Sequence, residues 1–67
     1  MTEITLNGAP HRVARATTLA NLIEALSLSN QGVALAVNRT IVPRQQWHEQ
    51  AIQPGDQIDV VRAIGGG

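Results

Sequence analysis

The sequence predicts an α+β domain, with one amphipathic helix laid across one face of a mixed sheet of four or five strands. Three observations carry this expectation. Only one stretch spaces its apolar residues at helical period, with Leu19, Leu22, Ile23 and Leu26 at i, i+3, i+4 and i+7. The other apolar residues fall in short runs with alternating or β-branched character. Turn-forming clusters at Asn7-Gly8, Ser29-Asn30-Gln31-Gly32 and Gln53-Pro54-Gly55-Asp56 cut those runs to strand length. A single helix among strands can bury its stripe only by packing on the sheet they form.

Taken in order, Glu3-Ile4-Thr5-Leu6 alternates polar and apolar and reads as a half-buried strand. Asn7-Gly8 is a strong short hairpin signal. The chain returns over Pro10 to Ala14, with the proline confining that strand to an edge or a strand start. Thr17 or Thr18 caps a helix that the spacing carries to about Leu28, with Ala20, Asn21, Glu24, Ala25 and Ser27 on its other face. The third strand runs from Gly32 to Asn38, with Val33, Leu35 and Val37 on one side and Ala34 and Ala36 on the other. Asn38-Arg39-Thr40 turns the chain into a very short strand, Ile41-Val42. Pro43 stops that strand and suits the first turn of a brief helical segment over Arg44 to Glu49. After the turn at Pro54-Gly55 comes the last strand, Gln57 to Ile64, with Ile58, Val60 and Ile64 inward. The order β-β-α-β-β-β predicts one core, the helix stripe against Ile4, Leu6, Val33, Leu35, Ile58 and Val60.

At 67 residues the chain is sized for one small domain, which buries only about 60% of its unfolded surface. The predicted division is a folded unit over 1–64 and a glycine tail over 65–67. Five arginines balance five acidic residues, and there is no basic stripe of the kind nucleic acid requires. No apolar run approaches the roughly 20 residues of a membrane span, and no secretory leader is evident. The expectation is a soluble, cytoplasmic protein with no nucleic-acid or membrane partner. The sequence contains neither cysteine nor lysine. Disulfides and thiolate sites are excluded, and the only amine nucleophile is the α-amine of Met1.

The glycine run Gly65-Gly66-Gly67 follows Ile64 with no polar linker. Glycines add nothing to a core and lose much backbone entropy on ordering. They do form a thin strip without side chains, spanning at most about 10–11 Å for three residues. Such a strip can carry the carboxylate of Gly67 into a narrow slot, where a Cβ at Gly66 or Gly67 would clash. The other candidates read more plainly. His11 and His48 lack further ligand spacing, so no metal site is expected. Glu49 and Asp56 read as surface and turn residues, and Trp47, the only aromatic, as an anchor for the short helical segment. Ala34, Ala36, Val61 and Ala63 fall on the sheet face away from the helix, where small apolar side chains suit close contact with a partner. Arg62 beside the tail reads either as a partner for an acidic group on another protein or as a solvated surface arginine.

Several blocks then occur together: Asn7-Gly8; Val33-Ala34-Leu35-Ala36-Val37-Asn38; Ile41-Val42-Pro43-Arg44 followed by Trp47; Pro54-Gly55-Asp56-Gln57-Ile58; and Gly66-Gly67. In this order, over nearly the whole chain, they resemble the ubiquitin-like β-grasp proteins and, more narrowly, the thiamine-biosynthesis sulfur carrier family, ThiS. One departure is Gly65, where that family often has alanine. The resemblance implies a protein cosubstrate rather than an enzyme, with no cofactor of its own. The Gly67 carboxylate would be adenylated with ATP and Mg²⁺ by a ThiF-type adenylating enzyme. It would then be converted to a thiocarboxylate with sulfur from a persulfide donor, and the sulfur delivered to a ThiG-type thiazole synthase. The alternatives are a carrier for another acceptor such as molybdopterin, a modifier joined to lysines of its targets, and a non-covalent β-grasp interaction module with an inert tail.

Overall fold

A computed structural model of the protein describes residues 1–28 and 32–62. Strands β1 (Thr2–Leu6) and β2 (Ala9–Val13) form an antiparallel hairpin. Its turn places Asn7 and Gly8 at φ 50° and 82°, the left-handed pair that a two-residue hairpin turn requires. Helix α1 (Leu19–Ala25) follows, then β3 (Val33–Val37), β4 (Thr40–Val42), a 3₁₀ helix at Arg44–Gln46 and β5 (Gln57–Arg62). The five strands form one sheet in the order β2-β1-β5-β3-β4. β1 and β5 run parallel, and the other pairings are antiparallel. The last strand therefore lies in the middle of the sheet.

Helix α1 starts at Thr18, whose Oγ1 accepts from the Asn21 N–H at 3.1 Å while Asn21 Oδ1 accepts from the Thr18 N–H at 3.3 Å. This is a capping box with asparagine in the place usually held by Glu or Gln. Thr17 does not cap; its hydroxyl donates to the Ala14 carbonyl. The next free donors of the first turn are met from elsewhere in the chain. Leu19 N–H donates to Gln50 O and Ala20 N–H to Trp47 O, so the segment after the 3₁₀ helix is tied to the helix start.

The helix is shorter than the spacing predicts. Ser27 sits at φ 60°, Ser27 N–H donates to Glu24 O, and Leu28 N–H reaches back to Ile23 O. Those bonds close a Schellman motif, with serine where glycine is usual. The predicted stop at 29–31 lies outside the described residues. Other boundaries shift as well, β3 running over Val33–Val37 and β4 over Thr40–Val42. The second strand is Ala9–Val13 rather than 10–14, with Pro10 paired to Thr5 on the edge strand. The helical turn after Pro43 is 3₁₀ over three residues, followed by a turn rather than a helix to Glu49. The predicted inward position of Ile64 lies outside the described residues.

The core joins Leu19, Leu22 and Ile23 of α1 to Ile4, Val13, Val33, Leu35, Val37, Val42, Trp47, Ile52 and Ile58. Leu35 and Ile58 are fully buried. Leu6, Leu26 and Val60, expected in the core, are only partly buried at its margin, and Ala20, expected on the outer helix face, joins them there. Trp47 is the anchor the sequence predicts. Its ring is buried, Nε1–H donates to the Val42 carbonyl at 2.8 Å, and the Arg44 guanidinium lies 4.8 Å from the ring centroid.

Candidate functional site

Alternation along β5 sends Ile58 and Val60 toward the core and Asp59 and Val61 to the other face. The register with β3 sets Ala34 opposite Val61 and Ala36 opposite Asp59. On its other side Ala36 faces Ile41 of β4. The structure thus brings Ala34, Ala36 and Val61 together, as the sequence predicts; Ala63 lies outside the described residues. Ile41, 64% exposed, borders the patch on the β4 side and Val61, 57% exposed, on the β5 side, with β3 between them. The sequence reading missed Ile41 and Asp59 as part of this face. The signal was present, because Val42 inward makes Ile41 outward, but it needs the β3–β4 register to place Ile41 beside Ala36.

The other half of the same face is polar. Glu3 and Arg12, cross-strand partners on β1 and β2, form an exposed ion pair at 3.4 Å. They border a shallow depression of about 510 Å³ with Thr5, Gly8 and Pro10. The face therefore carries the Glu3–Arg12 pair over β2-β1 and, over β5-β3-β4, Ala34, Ala36, Ile41 and Val61 around the carboxylate of Asp59.

Side chains at two turns hold β5 in place. At its start, Asn38 Oδ1 accepts from the Gln57 N–H at 2.9 Å, and Asn38 Nδ2 donates to Asp56 Oδ1 at 3.1 Å. The second oxygen of Asp56 accepts from the Gln53 N–H at 2.9 Å. Asp56 is thus the turn residue the sequence predicts. Toward the far end of the strand, Asn7 Oδ1 accepts from the Val60 N–H at 2.8 Å. β5 ends beside the start of β3, with Arg62 paired to Val33 and exposed. Residues 63–67, including the predicted Gly65, Gly66 and Gly67, follow it in the sequence and lie outside the described residues.

His11 is half-buried on β2, and His48 and Glu49 are exposed in the turn after the 3₁₀ helix. Among the described residues no three His, Cys, Asp or Glu side chains gather as metal ligands. Nor does any described helix have the length and apolarity to cross a membrane. This arrangement sets exposed apolar residues on one sheet face and places β5, the strand that precedes the glycines in the sequence, at the centre of the sheet.

A mixed five-stranded sheet with its last strand central and one helix across it is the ubiquitin-like β-grasp architecture. The comparison with solved structures agrees. The crystal structure of a thiamine biosynthesis protein (ThiS) from Geobacter metallireducens superposes with a TM-score of 0.85, at 25% identity, over 98% of this chain and all of that one. The ThiS family model matches residues 4–67. The sulfur carrier protein ThiS of Escherichia coli is 40% identical over 65 residues, which cover 97% of this chain and 98% of the relative. A thiazole synthase of Magnetococcus marinus is also 40% identical over 65 residues, but there the match spans only 20% of the relative's length. The chain belongs to the ThiS family, a family of sulfur carriers rather than catalysts.

Proposed function

We propose that this chain carries sulfur for thiazole formation in thiamine biosynthesis as a thiocarboxylate on Gly67. The observation that carries the reading is the match to a sulfur carrier along almost the full length of both chains, within a family match that runs through Gly67. A carboxylate is a stable anion at neutral pH and a poor electrophile. Attack of a Gly67 oxygen on the α-phosphorus of ATP, with Mg²⁺ held by a ThiF-type partner, releases pyrophosphate and leaves an acyl adenylate. A persulfide sulfur then displaces AMP to give an acyl disulfide. A thiol attacking the donor's sulfur releases the thiocarboxylate and leaves a disulfide on the donor side. In this reading the partner enzymes supply the acids, bases and metal for these steps, and the chain presents the reacting group.

Residues 65–67 act as the tail, and the domain before them as its handle. Five residues follow Arg62, and at roughly 3.3–3.6 Å each they span at most about 18 Å. The docking face is Ala34, Ala36, Val61 and Ile41. Ala34 and Ala36 let a partner approach the sheet closely, and Ile41 and Val61 offer it exposed apolar surface. A ThiG-type thiazole synthase is the sulfur acceptor, a role supported by the Magnetococcus marinus thiazole synthase that contains a segment similar to this chain. The cytoplasm, where ATP and reduced thiols are abundant, is the setting.

The test is intact-mass analysis of the protein from its host, with and without a thiol-alkylating reagent. Exchange of oxygen for sulfur nearly matches the mass of oxidation at Met1 or Trp47, so alkylation must separate them. With no cysteine in the chain, one alkyl adduct mapped to Gly67 identifies the thiocarboxylate. No adduct after incubation with ATP, Mg²⁺, the adenylating enzyme and a persulfide donor would refute the sulfur-handle reading. A stable isopeptide conjugate to lysines of other proteins would instead identify a modifier.

A further inference from the structure

We propose that Asn7 is a positioning residue for the tail, acting through Val60; the functional half of this proposal rests on the carrier reading above. The argument starts from the short parallel ladder between β1 and β5. Its paired residues are Thr5 with Gln57 and Leu6 with Ile58, and its rungs include Thr5 N–H to Asp56 O and Asn7 N–H to Ile58 O, both at 2.9 Å. In a regular parallel ladder the next rung would run from the Val60 N–H to the backbone carbonyl of Asn7. There β1 ends, because Asn7 and Gly8 turn the chain into β2 with positive φ at both residues. The Asn7 side chain takes over the rung, and its Oδ1 accepts the Val60 N–H at 2.8 Å.

That bond spans 53 residues of sequence and extends the β1 side of β5 past the end of β1. The other side of the strand is held by β3 as far as Arg62. With both sides tied, β5 keeps a single direction where it gives way to the residues leading to Gly67. Without the Asn7 rung, the strand is held beyond Ile58 from the β3 side only. Asparagine meets both demands of the position. It tolerates left-handed φ better than most residues with a side chain, and its amide oxygen is one of the few short acceptors able to replace a carbonyl.

Two substitutions separate these demands. Asn7→Gly accepts φ 50° freely and removes the acceptor, whereas Asn7→Asp keeps a short acceptor and a tolerable φ. Hydrogen exchange of the full chain is read at Val60, with Leu35 as the global reference. Pyrophosphate release is read with ATP, Mg²⁺ and the host's adenylating enzyme. In Asn7→Gly, exchange at Val60 is expected to rise roughly five- to tenfold with Leu35 unchanged. The kcat of activation is expected to fall about threefold or more, because a smaller fraction of docked complexes hold the tail in place. KM is expected to stay constant, because the docking face is untouched. Asn7→Asp is expected to restore both readouts. Unchanged exchange at Val60 would overturn the rung, and faster exchange with unchanged kcat would overturn the positioning role. A parallel loss of protection at Leu35, not recovered in Asn7→Asp, would mark Asn7 as a general stability residue and overturn the proposal. If the wild-type chain itself is never activated, the carrier reading and the positioning role fail together, while the exchange data still decide the rung.

Discussion

Neighbouring positions on β5 are expected to answer to different demands, and a pair of conservative substitutions separates them. Ile58 is fully buried and Val61 is 57% exposed on the opposite face. Ile58→Val removes one methylene from a closed core. That costs about 0.5–1.5 kcal/mol, the lost transfer energy plus the small cavity left behind. In a domain this small each kcal/mol lowers Tm by roughly 4–8 °C. With an m-value near the low end, about 1 kcal/mol/M in urea, the midpoint falls by roughly 0.5–1.5 M. Val61→Thr keeps the β-branched shape on the solvent side and should change stability by no more than about 0.5 kcal/mol. The assay is urea unfolding followed by Trp47 fluorescence, which reports the core directly because Trp47 is the chain's only aromatic and is buried in that core. In the activation assay the order reverses: Val61→Thr raises the KM for the carrier several-fold, and Ile58→Val leaves it unchanged. Equal destabilisation by both variants would refute the assignment of faces on β5, because a one-residue slip exchanges them.

Three further outcomes are expected. Trp47→Phe leaves the Val42 carbonyl without its 2.8 Å donor and should cost about 1–3 kcal/mol, read as a lower Tm by circular dichroism. Asp56→Ala removes the acceptor for Gln53 N–H and Asn38 Nδ2 and should cost about 1 kcal/mol, with faster amide exchange at Gln53 and Gln57. Gly67→Ala should leave Tm unchanged and sharply reduce sulfur loading; normal loading would count against a tight channel for the tail.

Much of the architecture could be read locally. The stripe of Leu19, Leu22 and Ile23 and the alternation of Val33, Leu35 and Val37 each express one element's own period, and both sets are buried as expected. Asn7-Gly8 and Pro54-Gly55-Asp56 carry their turn chemistry in two or three residues. The face of Ala34, Ala36 and Val61 could be read for the same reason, since inward neighbours force their outward placement. Ser27 was harder to read. A serine in left-handed conformation is held there by its helix-end bonds and by Leu28 packing on the core, and only the second of these depends on the rest of the fold.

By itself, the sequence determined which segments are strands, which one is the helix, and that the chain runs into a strip of glycines. Only the tertiary structure decided who neighbours whom. Ile52 is an isolated apolar residue in a turn-rich stretch with no period to mark it, yet it is buried because its N–H is tied to Thr17 O and its side chain closes the core beside α1. Ile41 joins the exposed face of Ala34, Ala36 and Val61 only through the register of β4 on β3. The central place of β5, and the reach of Asn7 across the chain to Val60, come from pairings between the first and last strands. Such pairings leave no local mark, because backbone hydrogen bonds form between almost any two strands. What selects among them is the burial of one shared core, a property of the whole chain and of no single segment.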